Sequence, residues 1–119
     1  MKKLIGYILI ICTFFTCEEL LDVENISNKK VQLLAPTDST VTTTNKLTFT
    51  WNPIEGADNY HLQIAQPSFE QAFQIVRDTL VDNTSFRDSL HVNTYQWRVR
   101  AENSAYSSEY TTNTLIVEE

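Results

Sequence analysis

Thr94-Tyr95-Gln96-Trp97-Arg98-Val99-Arg100-Ala101-Glu102-Asn103 alternates without a break. Tyr95, Trp97, Val99 and Ala101 fall on one side; Gln96, Arg98, Arg100 and Glu102 fall on the other. Side chains of a strand point to opposite faces in turn, so period two with one apolar half predicts a half-buried β-strand. Two aromatics at the head of the apolar half make this strand the expected organiser of a core.

The flanking chain repeats the pattern. Lys46–Trp51 alternates with Leu47, Phe49 and Trp51 inward, and Asn59–Ala65 with Tyr60, Leu62 and Ile64 inward. Asn52-Pro53-Ile54-Glu55-Gly56-Ala57-Asp58 between them holds the residues that turns need. Val31–Ala35 reads as a short first strand stopped by Pro36, which cannot donate to a ladder. Thr37–Asn45 is polar and reads as turn. Ser68–Val81 is ambiguous, because Phe69, Ala72, Phe73, Val76 and Leu80 recur at helical spacing while Gln74–Val81 is rich in β-branched residues. One loose helical turn near Phe69–Ala72 followed by a strand is the expectation. Thr84–Phe86 reads as a short strand, Asn103–Ser108 as a turn, and Tyr110–Val117 as the last strand with Leu115 and Val117 inward. About seven short strands near ten-residue spacing, with no helical crossovers, predict an all-β, antiparallel two-sheet sandwich.

The chain has 119 residues, 42% hydrophobic and 20% charged, which suits one domain with a short appendage. Its formal charge is −6, the four arginines (Arg77, Arg87, Arg98, Arg100) are dispersed, and past the amino-terminal Lys2-Lys3 there is no basic run beyond Lys29-Lys30. Nucleic-acid affinity comes mainly from clustered Lys and Arg, so that partner is set aside. At the amino terminus, Met1-Lys2-Lys3 precedes the apolar run Leu4–Thr16. That run is too short to cross a bilayer core of about 30 Å at ~1.5 Å per residue, and it fits the apolar region of a secretory signal. The alternative is an uncleaved anchor with Cys17 an ordinary thiol. The only two cysteines, Cys12 and Cys17, both lie in this region, so no disulfide is expected in the domain.

Phe14-Phe15-Thr16-Cys17 followed by Glu18-Glu19 resembles a bacterial lipoprotein signal of the Bacteroidetes type, with Phe15 and Thr16 looser than the commonest residues there. The resemblance implies a signal peptide over 1–16, lipidation of Cys17 and a membrane partner reached through the lipid. It further implies an address at the outer membrane or cell surface. Within 17–30, Glu18–Lys30 is polar without a sustained period and reads as a tether, in which Leu20, Leu21, Val23 and Ile26 could form a helical turn or two. Removing Lys2 and Lys3 would take the charge from −6 to −8. Such a surface repels anionic headgroups, leaving attachment to the lipid. A tether through Lys30 could lift the domain up to about 45 Å at ~3.3–3.6 Å per residue.

Residues 31–119 resemble a fibronectin type III domain, an Ig-like sandwich. The marks are Leu33-x-x-Pro36, Leu47-x-Phe49-x-Trp51, Tyr60-x-Leu62, and Leu90 followed by Tyr95-x-Trp97-Arg98-Val99-Arg100-Ala101-x-Asn103. The resemblance implies Trp51, Tyr60, Tyr95 and Trp97 as structural core. In it Tyr95 forms a corner, its hydroxyl bonded to backbone near Leu90.

Reaction chemistry needs convergent groups, and the sequence offers no metal, cofactor or nucleophile pattern. His61 reads as outward on a strand and His91 as a turn residue, both structural. Arg98 and Arg100 could line a face for carboxylates or acidic sugars; the plainer reading pairs them with acidic neighbours across strands. Tyr106 and Tyr110 could stack on sugar rings or cover the edge of a core. Asp38-Ser39-Thr40, Asp78-Thr79-Leu80 and Asp88-Ser89-Leu90 resemble an O-glycosylation acceptor of Bacteroidetes secreted proteins. The expectation is a non-catalytic, lipid-anchored surface protein, serving as a binding, adhesion or spacer module for a protein or glycan partner. The alternative is a carbohydrate-binding accessory protein.

Overall fold

A computed structural model describes residues 23–119, which form eight strands and no helix. The strands are β1 (Leu33–Ala35), β2 (Thr40–Thr42), β3 (Lys46–Trp51), β4 (Asn59–Gln66), β5 (Gln74–Val81), β6 (Ser85–Ser89), β7 (Asn93–Glu102) and β8 (Thr111–Val117). One sheet has the order β1-β3-β6 and the other β2-β8-β7-β4-β5. The stretch that opens the sequence reading is β7, the longest strand at ten residues and the middle one of the larger sheet.

The apolar halves of the alternating strands meet between the sheets. Trp51, Tyr60, Tyr95 and Trp97 are 1%, 6%, 2% and 0% exposed, and Phe49, Leu62, Ile64, Val99, Leu115 and Val117 pack with them. Phe49 of the small sheet meets Trp97 of the large one edge to face, with centroids 4.9 Å apart; Trp51 meets Tyr60 likewise at 5.8 Å. Such pairs add about 0.5–1.5 kcal/mol beyond area burial. The Tyr60 hydroxyl accepts from the Ile54 amide at 2.9 Å, tying the β3–β4 loop to the core. The Tyr95 hydroxyl donates to the His91 carbonyl oxygen at 2.7 Å, one residue beyond Leu90.

Three local expectations need correction. Thr37–Asn45 is not all turn: Ser39 turns the chain with φ 65°, and Thr40–Thr42 then pairs parallel with β8, from Thr40–Leu115 to Thr42–Val117. Pro36 ends pairing with β3, and the chain changes sheets there; β2 is the strand beyond the seven expected and, among the described strands, it makes the one parallel strand pair. The segment Phe69–Ala72 makes turns but no helix, because β4 and β5 pair antiparallel on either side of it. The short strand expected over Thr84–Phe86 runs from Ser85 to Ser89 and pairs with β3 along its whole length.

The segment before β1 is built into the domain. Ile26 and Val31 are buried in the core cluster, and the Asn103 side-chain amide donates to the carbonyl oxygens of Glu24 and Gly56, each at 2.9 Å. Lys29 pairs with Glu24 at 2.6 Å and also donates to the Glu55 carbonyl oxygen. From Glu24 onward, the stretch expected to be a free tether is therefore packed against the β3–β4 loop and the β7–β8 turn.

Candidate functional site

The outer face of the larger sheet collects the polar halves of its strands. Register places His61 of β4 opposite Arg100 of β7, and Gln63 opposite both Arg98 of β7 and Asp78 of β5. Opposed residues share a face, so alternation and register together bring an imidazole, two guanidiniums, an amide and a carboxylate to one place. Two aromatics join them. Tyr110 enters from just before β8, and Phe69 comes from the β4–β5 connection, held over the sheet by its amide donating to Gln96 Oε1 at 3.0 Å.

The result is a stacked arrangement of cations and rings. The Arg98 guanidinium carbon lies 4.0 Å from the Phe69 ring centroid and 4.1 Å from that of Tyr110, and Arg100 lies 4.9 Å from Tyr110. A cation over a ring face is attracted by its quadrupole, by about 0.5–1 kcal/mol at exposed sites. Arg98 Nε donates to Gln63 Oε1 at 2.8 Å. Arg100 gives both Nε and Nη2 to Glu102 Oε2 at 2.9 Å, a partner two positions along its own strand rather than across strands.

His61 links the cluster. One ring nitrogen contacts Asp78 Oδ1 and the other the Tyr110 hydroxyl at 2.9 Å, with Glu102 at 3.7 Å. Its side chain is only 19% exposed, although the strand points it outward, because the neighbouring side chains cover it. The hydrogen bond from His61, chiefly, holds the Asp78 carboxyl below its ordinary range; burial opposes it, and Gln63 and the charges of His61 and Arg98 add smaller lowering effects. Burial pushes the Tyr110 hydroxyl upward, while Arg100 and Arg98 pull the other way.

The structure brings together three of the four residues singled out for a binding face, Arg98, Arg100 and Tyr110. Tyr106 sits apart in the β7–β8 turn, where its amide donates to Asn103 Oδ1 at 2.8 Å. Tyr110 is no bare platform for a sugar ring, because two guanidiniums already lie over it. His61, Gln63, Asp78 and Phe69 were missed. Outward alternation marks His61 and Gln63, but their neighbours follow only from register. Two shallow depressions lie elsewhere. One, of about 420 Å³, is lined by Lys46, Leu47, Thr48, Arg87, Asp88 and Ser89; the other, of about 380 Å³, lies near Gln66, Arg77 and Tyr95. Among the described residues no group of three or more His, Cys, Asp or Glu side chains could hold a metal ion. Cys17 lies outside the described residues.

No protein-family model matches the chain, and no curated protein matches it. Solved structures do. The fn3 domain of the human collagen alpha-1(XX) chain is 21% identical with a TM-score of 0.57, over 73% of this chain and 84% of that one. The fibronectin(III)-like modules of Clostridium thermocellum CbhA are 13% identical with a TM-score of 0.55, over 74% of this chain and 95% of that one. Chitinase ChiW from Paenibacillus sp. str. FPU-7, a cell-surface-expressed multi-modular enzyme machinery, matches at 16% identity and a TM-score of 0.53, over 78% of this chain and 9% of that one. The chain is an all-β protein of two packed sheets. Its fold is that of a fibronectin type III domain.

Proposed function

We propose that the chain is a non-catalytic module, anchored by a lipid on Cys17 and displayed at the outer membrane or cell surface, that binds a partner or spaces one from the membrane. The anchor rests on the sequence around Cys17. What supports recognition over reaction is the state of His61: both its ring nitrogens are engaged, by Asp78 and Tyr110, so it serves as a brace of the sheet face. A general base must reach the proton that it abstracts, and this imidazole is turned into its own neighbours. Metabolic labelling with a palmitate analogue tests the anchor. Wild type takes up label and Cys17→Ser does not; label retained by Cys17→Ser overturns lipidation at this residue.

A second reading, capture of glycans, is favoured by the form of the outer face. It is a sheet surface with amides, hydroxyls and one incompletely matched guanidinium, rather than an apolar groove. The similar module in ChiW belongs to a chitinase. Retention on a glycan array tests this reading, and the absence of any glycan-dependent retention removes it.

A further inference from the structure

We propose that the Nη edge of Arg98 is a receptor for the carboxylate of an acidic sugar, a uronic acid residue in a glycan chain. The inference rests on the glycan-capture reading and names the ligand chemistry and the residue that selects it.

The charges of the face nearly cancel within it. Arg100 is matched by Glu102, and His61 is engaged by Asp78 and Tyr110. Arg98 is different. Its Nε is committed to the neutral Gln63 side chain, and among the described residues neither Nη has an acceptor within hydrogen-bond range. A guanidinium offers its two Nη groups as a planar fork that fits a carboxylate in a bidentate way.

The fork is also held in place. The Phe69 and Tyr110 rings flank the guanidinium at 4.0 and 4.1 Å, and Gln63 fixes its inner edge. Rings that flank a guanidinium keep water from part of its surface, and the bond at Nε leaves the two Nη groups as its remaining donors. Both effects strengthen a charge-assisted bond made at that edge. Much of the entropy of ordering a long side chain is already lost in the free protein, which lowers the cost of binding.

The surroundings favour a sugar over an acidic peptide. Register sets Thr112 opposite Arg98 and Thr114 opposite Gln96, so hydroxyl and amide groups share the outward side of β7 and β8 with the fork. Gln96 spends its carbonyl oxygen on the Phe69 amide, leaving its NH₂ as a donor. An extended peptide adds to a free sheet edge and an acidic motif is taken by a cluster of arginines; β7 is the middle strand, and Arg100 beside Arg98 is already matched by Glu102. One group opposes the ligand. The Asp78 carboxylate lies close enough for the Arg98 charge to act on it, so an incoming carboxylate is repelled. Asp78→Asn should therefore tighten binding, a direction that a merely structural cluster would not produce.

Calorimetric titration of the full chain in detergent with trigalacturonate tests the proposal, with galactotriose and tetraglutamate as comparisons. Binding of trigalacturonate alone is expected, in the millimolar to micromolar range. Arg98→Met should abolish it, and Arg98→Lys, which keeps the charge and the stem, should weaken it roughly tenfold. Unchanged fluorescence of the buried Trp51 and Trp97 would certify that the variants are folded. No heat with trigalacturonate at millimolar concentration, equal binding of galactotriose or tetraglutamate, or indifference to both Arg98 substitutions in folded protein each overturns the proposal. Array retention of neutral glycans that ignores Arg98 would leave glycan capture standing and remove only the carboxylate receptor.

Discussion

Tyr95, Trp97 and Arg98 stand within four positions, yet each is held by a different kind of force. Trp97 is fully buried against Phe49, Tyr95 adds a hydroxyl bonded to the His91 carbonyl oxygen, and Arg98 is stacked on the other side of the strand. The outer cluster is the part that responds to pH. Asp78 has its pKa lowered from the ordinary 3.8, first by the His61 hydrogen bond. A lowered carboxyl contributes stability above its unfolded pKa and loses that contribution as pH falls through the folded one. Asp78→Asn should therefore be less stable than wild type at neutral pH, with the gap closing below pH 3.8. The side chain is 55% exposed, so solvent screening keeps the gap small. Urea midpoints of both proteins across the acid range measure it; a gap that stays constant with pH would show that the ionised carboxylate contributes nothing.

At the scale of elements, β3, β4 and β7 were legible because each carries its burial pattern in its own alternation, from Phe49 and Trp51 to Val99 and Ala101. Strand β2 was not. Thr40-Val41-Thr42 buries little, and what makes it a strand is backbone pairing with β8, more than seventy positions away. The outer cluster was half legible for a similar reason: alternation shows which residues point outward, while register decides which of them touch. Phe69 looked like part of a helical stripe, but its place is set by Gln96 and Arg98 on another strand. The stretch from Glu24 to Lys30 was misread because its one deeply buried residue, Ile26, sits in a polar run with no sustained period to announce it. Gly56 offers a test of that docking. It has φ 95°, and a Cβ there would lie 2.8 Å from Glu24 Oε1 and 3.1 Å from Ile26 Cγ2. The backbone conformation alone costs an L-residue about 1–2 kcal/mol. Gly56→Ala should lower the unfolding free energy by that order, with a lower denaturation midpoint, and speed hydrogen exchange at the Lys29 amide, which bonds to the Ile26 carbonyl oxygen at 3.0 Å. An unchanged midpoint and unchanged exchange would mean that the segment does not depend on this contact.

For the whole molecule, the docked segment sets which end of the sandwich would face the proposed anchor. With Cys17 acylated as proposed, at most the span from Cys17 to Glu24 separates the lipid from the point where Asn103 takes hold. At ~3.3–3.6 Å per residue that reach is at most about 25 Å, against about 45 Å for a tether running to Lys30. The chain enters at the pole that carries the β3–β4 loop and the β7–β8 turn, since Asn103 grips Glu24 and Gly56 together. The β4–β5 connection lies at the other pole, beyond Gln66, whose carbonyl oxygen accepts from the Phe73 amide at 2.7 Å. Strand β4 separates the poles by about 25 Å at ~3.3 Å per residue. On the proposed anchor the outer sheet face would stand beside the membrane rather than against it, and the acidic surface would keep the near pole off anionic headgroups. Fluorophores on Tyr106→Cys and Phe73→Cys, at exposed positions of opposite poles, report this directly. On vesicles with an acceptor dye in the bilayer, acylated protein labelled at 106 should transfer energy more efficiently than protein labelled at 73. Replacing Asn103 with Ala in both should release the segment and shrink the difference. Equal transfer from the two positions in the unaltered domain, on protein that demonstrably carries the lipid, would mean that the sandwich tumbles freely on its anchor and that the clasp at Glu24 gives it no orientation.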